Sequence, residues 1–124
     1  MRILSHSEQD TIKAAQELAK DLSSPQIILL NGTLGMGKTV FARALIHSLC
    51  ADNDLEVVSP TFTLLQTYES DHGEIYHYDL YRIEDPEEIL ELGWEDASYN
   101  GITIIEWPER LGSYKPSQYL DITI

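Results

Sequence analysis

Basic residues are scarce in this chain: 8 lysines and arginines stand against 21 aspartates and glutamates in 124 residues, for a net charge of −13 at pH 7. A polyanion meeting such a surface is repelled instead of gaining from counterion release, so direct binding of nucleic acid is disfavoured. An acidic surface suits a basic protein partner or simple solubility. Cysteine is limited to Cys50. That excludes an internal disulfide and is compatible with a reducing compartment. No apolar run reaches the roughly 18 residues of a membrane span, and the stretch from Met1 to Glu8 lacks the apolar core of a signal peptide. The expected location is the cytoplasm. The four histidines, His6, His47, His72 and His77, share no metal spacing, and none is assigned chemistry. Repeats, linkers and low-complexity segments are missing too, and the length fits a single domain over residues 1–124 with no room for a second catalytic module.

Glycine is not abundant, yet three glycines fall within Gly32-Thr33-Leu34-Gly35-Met36-Gly37-Lys38-Thr39. The octet fits G-x-x-x-x-G-K-[ST], the phosphate-binding loop, at every constrained position. Its flanks have the required form. The segment from Gln26 to Asn31 reads as a short buried strand, and after the loop Phe41, Ala44, Leu45, Ser48 and Leu49 share one helical face. The chemistry accounts for the spacing. Glycines let the backbone turn its N–H groups onto phosphate oxygens, and the following helix end adds about half a positive charge. Lys38 would reach the β- and γ-phosphates of a nucleoside triphosphate, and Thr39 would place its hydroxyl on the Mg²⁺ bridging them. By itself the loop leaves an ATPase, a small kinase and a nucleotide switch open.

Elsewhere the chain alternates helical and extended patterns. Ser7 caps a helix expected over Glu8–Asp21, with Ile12, Ala15, Leu18, Ala19 and Leu22 at helical spacing. A helix is expected to begin near Lys38. The segments 61–68 and 74–81 read as an antiparallel hairpin about a turn at Ser70–Gly73. Asp85, Pro86 and Glu88 form a capping signal for a short helix stopped by Gly93, and 101–106 and 119–124 read as strands.

A triphosphate site needs an acid linked to the metal, commonly at the end of an apolar strand beside the loop strand. Glu106, closing the run Ile102 to Ile105, is the first choice for Mg²⁺. Asp79, closing a weaker run, is the candidate for orienting water or holding the metal's outer partners. The hydroxyl-rich segment Ser59 to Thr63 reads first as a proline-marked entry to a strand, and its place in the order is also that of a switch segment whose threonine senses the γ-phosphate. An N-K-x-D segment specifying guanine is absent. The segment 96–101 makes a poor kinase lid, and only Arg2, Arg43, Arg82 and Arg110 could supply an arginine finger.

Four blocks together resemble the TsaE (YjeE) family: Gly32 to Thr39, Ser59 to Thr63, His77 to Arg82 with Pro86 to Glu88, and Ile105 to Glu109. The family comprises small bacterial P-loop ATPases needed to make threonylcarbamoyladenosine beside the anticodon of certain tRNAs, working with the TsaB and TsaD proteins. The resemblance implies an α/β fold, a P-loop NTPase-like three-layer sandwich with a mixed central sheet flanked by helices. It implies that Gly35, Met36, Gly37, Lys38, Thr39 and Val40 enclose the phosphates of ATP, and that Thr39 and Glu106 bind Mg²⁺. It makes Asp79 important to hydrolysis, puts Thr11 beside the adenine and Trp107 beside the metal acid, and places Thr61 and Thr63 in the switch-like segment. Slow hydrolysis alone and faster hydrolysis with TsaB and TsaD are expected, with the tRNA held by the partners.

Overall fold

The computed structural model describes residues 7–23, 25–32, 35–60 and 63–124. Five strands, β1 (Gln26–Asn31), β2 (Leu65–Ser70), β3 (Gly73–Asp79), β4 (Ile102–Glu106) and β5 (Leu120–Thr123), form one sheet in the order β2-β3-β4-β1-β5. β1 is parallel to β4 and β5, and β3 is parallel to β4; only β2 runs antiparallel, as the hairpin partner of β3. The sheet is therefore mixed, and its strands β1, β3 and β4 all end on the same edge.

Alternation along the strands sorts side chains onto two faces. Ile28, Leu30, Ile75, Ile102, Ile104 and Ile122 pack beneath α1 (Glu8–Asp21) and α2 (Gly35–Cys50), which bring Ala15, Ala19, Phe41, Leu45 and Leu49. Ile27, Leu29, Tyr78, Leu80 and Ile105 face the other way. There they meet Ile89 of a 3₁₀ turn (Pro86–Leu92), Trp94 and Ala97 of α3 (Trp94–Tyr99), and Leu111 of a second 3₁₀ turn (Pro108–Tyr114). Three layers result, as the resemblance implied.

Local chemistry sets the ends of the elements. Ser7 accepts from the Asp10 amide at 3.2 Å to start α1, and Leu22 leaves the helix in extended conformation. Asp85 and Glu88 complete a capping box, and Gly93 closes the turn in the left-handed region, yet the segment winds as 3₁₀, not α. Several boundaries differ from the sequence reading. α2 opens at Gly35, because the last turn of the glycine-rich loop is already helical, whereas Lys38 was the expected start. β2 begins at Leu65, after Leu64 takes a positive φ of 69°. Residues 94–99 form α3, buried through Trp94 and Ala97, where no helix was expected. No helix among the described residues is long and apolar enough to cross a membrane.

Candidate functional site

The edge at which β1, β3 and β4 end carries the chemistry. Register sets Leu30 of β1 beside Glu106 of β4, and Glu106 beside Asp79 of β3. In-register neighbours of parallel strands share a face, so Asp79 and Glu106 project toward α2, as do His77 and Ile104 two residues earlier. The loop leaving β1 therefore delivers the start of α2 to a pair of strand-end carboxylates, in the crevice where ligands of open α/β sheets bind.

α2 begins with Gly35 and Met36, and its first turn holds no acidic residue despite the acidic composition of the chain. The free N–H groups of that turn face no competing carboxylate of their own helix. Gly32 has φ of +151°, and a Cβ there would stand 2.8 Å from the Ile124 carbonyl oxygen, so the loop's entry requires glycine. Gly37 is held closely too, with Ile124 Cγ2 at 3.2 Å from where its Cβ would be.

Lys38 is 1% exposed, and its Nζ lies 3.8 Å from the centroid of the Trp107 ring. Trp107 follows Glu106 directly and takes φ 62° and ψ 53°, an uncommon conformation for a bulky residue and more so ahead of a proline. Its ring continues onto Tyr81, with centroids 4.8 Å apart, and the Arg110 guanidinium lies 5.9 Å from the Tyr81 centroid. A ladder of cation, ring, ring and cation thus runs from the surface to the buried lysine.

Glu106 is buried, and its Oε2 accepts a hydrogen bond at 2.7 Å from Nε2 of His77, itself 1% exposed. Asp79 is also buried; its Oδ1 accepts from the Tyr81 amide at 3.0 Å, and its own amide donates to the Leu64 carbonyl. Thr39 and Val40 are half-buried on α2. Val40, Glu8, Ile12 and Arg43 line a cavity of about 280 Å³ between α1 and α2. Thr11 is buried on α1, and its hydroxyl donates back to the Ser7 carbonyl at 3.4 Å. Thr63 is exposed and accepts from Gln66 Nε2 at 3.0 Å. Thr61 lies outside the described residues, as do Arg2, Thr33 and Leu34.

The structure thus gathers Lys38, Asp79, Glu106 and Trp107 at one edge, and adds His77, to which the sequence reading assigned no chemistry. The usable signal was parity: His77 precedes Asp79 by two residues on one strand and so shares its face.

The family model described as threonylcarbamoyl adenosine biosynthesis protein TsaE matches residues 5–124. The chain belongs to the TsaE family. The tRNA threonylcarbamoyladenosine biosynthesis protein TsaE of Rickettsia bellii is 44% identical over 119 residues, 96% of this chain and 82% of that protein. The TsaE proteins of Rickettsia conorii and Aquifex aeolicus are 51% and 44% identical over 84% and 87% of this chain. The chain spans 59% of the length of the R. conorii relative and 77% of that from A. aeolicus. The crystal structure of YdiB from Bacillus subtilis superposes with a TM-score of 0.76 and 25% identity, covering 97% of this chain and 72% of YdiB. The TsaE assignment and the α/β three-layer fold therefore stand on both sequence and structure, and a P-loop fold in this family suggests nucleotide binding and hydrolysis.

Proposed function

We propose that this TsaE chain binds ATP with Mg²⁺ at the β1–α2 loop and hydrolyses it to drive TsaB and TsaD partners in forming threonylcarbamoyladenosine beside the tRNA anticodon, in the cytoplasm. The observation that carries the reading is the register that sets Glu106 between the strand feeding the loop and the strand ending in Asp79.

The residues present fit an Mg²⁺–triphosphate. The donors at this edge are carboxylate and hydroxyl oxygens, the hard ligands Mg²⁺ takes, and a phosphate-bound Mg²⁺ needs only one or two protein ligands. Thr39 and Glu106 would hold it. When bound, Mg²⁺ neutralises charge on the β- and γ-phosphate oxygens. Gly35 to Val40 enclose the phosphates with backbone N–H groups, and Lys38 supplies a fixed positive charge in a buried setting where it acts strongly. Asp79, whose Oδ1 accepts from the Tyr81 amide, would orient the attacking water. Thr61 and Thr63 take the switch-like part, and Thr11 with the hollow between α1 and α2 takes the adenine side.

Arg43, Arg82 and Arg110 are all exposed, so no described arginine stands in the buried site to stabilise the developing charge. This supports slow turnover alone and stimulation by partners; an arginine finger supplied in trans is worth about 10³–10⁵ in rate. The net charge of −13 argues that the partners, not this chain, hold the tRNA.

The test is phosphate release from ATP with Mg²⁺, measured alone, with a purified TsaB–TsaD pair, and with a panel of nucleosides. Slow release that rises with the pair supports the reading. A rate that partners leave unchanged removes the stimulation, and a phosphorylated nucleoside replaces the ATPase with a small P-loop kinase.

A further inference from the structure

His77 lies on β3, on the sheet face that α2 covers, opposite Ile104 of β4 in register: its Nε2 is 2.7 Å from Glu106 Oε2, and its Nδ1 is buried with no hydrogen-bond partner among the described residues. A lone buried Nδ1 decides the tautomer. An N–H at Nδ1 would be an unsatisfied donor, costing about 1–3 kcal/mol, and a bare Nε2 would set a lone pair against the carboxylate. Both problems vanish when Nε2 carries the proton and Nδ1 carries none. Nε2 then donates to Oε2.

Stability alone does not account for this residue. A leucine in the same place would bury as much apolar surface and leave no orphaned nitrogen. What leucine cannot do is hold a carboxylate. We infer that His77 is a positioning residue: it occupies Oε2, fixes the Glu106 side chain in one orientation, and presents Oε1 toward the start of α2, where Thr39 lies. The inference rests on the proposed role of Glu106 toward Mg²⁺, and outer partners of this kind are worth about 10- to 100-fold in metal affinity.

Two variants and one spectrum test it. His77→Gln can keep an N–H donor near the Nε2 position, whereas His77→Leu fills the site without one. Mn²⁺ binding in the presence of a non-hydrolysable ATP analogue, followed by electron paramagnetic resonance, should weaken about 10- to 100-fold in His77→Leu and return to within a few-fold of wild type in His77→Gln. Analogue binding without metal should be the same in all three. In the Glu106→Gln background, His77→Leu should cause no further loss of Mn²⁺ binding. A folded His77→Leu that binds Mn²⁺ like the wild type overturns the inference, and so does a His77→Gln as weak as His77→Leu. The ring ¹⁵N shifts of the wild type decide independently of metal: a protonated Nε2 with a bare Nδ1 supports the inference, and a bare Nε2 overturns it. If wild type binds no Mn²⁺ with the analogue, the ATPase reading fails, and the ring shifts still settle whether His77 holds Glu106.

Discussion

The ammonium of Lys38 rests 3.8 Å from the centre of the Trp107 ring, inside a protein that has few positive side chains to spare. The sequence neighbours of the two residues explain the contact. Lys38 rides on the first turn of α2, and Trp107 follows Glu106 with a left-handed backbone, at the edge where the loop and the strand-end acids converge. Lysine and indole therefore respond together to anything that draws the ammonium away.

The first prediction follows from that coupling. ATP binding should change the emission of Trp107 as Lys38 turns to the phosphates, while Trp94, packed edge-on to Tyr78 on the opposite face of the sheet, stays constant. Trp94→Phe should retain the response and Trp107→Phe should abolish it. Lys38→Ala should weaken ATP binding by about 10- to 100-fold, the worth of charged hydrogen bonds, as read by calorimetry.

The second prediction separates backbone from site. Gly101 has φ of +67°, and a Cβ there would lie 1.9 Å from the Glu74 carbonyl oxygen of β3. Gly93 has φ of +74° with nothing within 4 Å of its Cβ position. Gly93→Ala should cost about 1–2 kcal/mol from backbone strain alone, and Gly101→Ala about 3 kcal/mol or more, because strand β3 must move. Denaturant unfolding of the two variants measures the difference, and equal losses would contradict the close approach.

The third concerns alkaline pH. Burial pushes the Tyr78 phenol above its usual range, and the hydroxyl donates to the Leu92 carbonyl at 2.9 Å. In the unfolded chain the phenol ionises near pH 10 while the folded chain keeps its proton, so the unfolded state binds fewer protons and stability falls as pH rises above about 10. Below that pH the contribution is fully present. Tyr78→Phe should flatten this part of the stability profile, at the cost of the hydrogen bond, in thermal melts between pH 9 and 11.

Much of the scaffold was legible because local and global signals agree. The strand Gln26–Asn31 and the helix Glu8–Asp21 fall where apolar spacing and the Ser7 cap put them. Glu106 was legible as an acid closing an apolar run, and β1 pairs with β4 in register up to it. Two features were not. α3 is six residues long and too short for a helical period to declare itself; it is held by tertiary packing of Trp94 and Ala97 and by the Thr103 hydroxyl donating to the Ala97 carbonyl at 3.0 Å. Beyond its parity with Asp79, His77 carried no signal of its pairing, since its partner lies 29 residues away on the neighbouring parallel strand and only the register brings the two together. Sequence spacing finds ligands that share a helix or turn, and it misses diagonal pairs across a sheet.

The proposed metal role of Glu106 is tested most directly by phosphate release from ATP as a function of Mg²⁺ concentration, for wild type and Glu106→Gln. The account predicts metal-dependent release by the wild type and a loss of about 100-fold or more in the variant, the scale for removing an electrostatic partner of the transition state, with metal-free ATP binding kept within a few-fold. A Glu106→Gln protein that hydrolyses ATP normally would contradict it and move the metal role to Asp79.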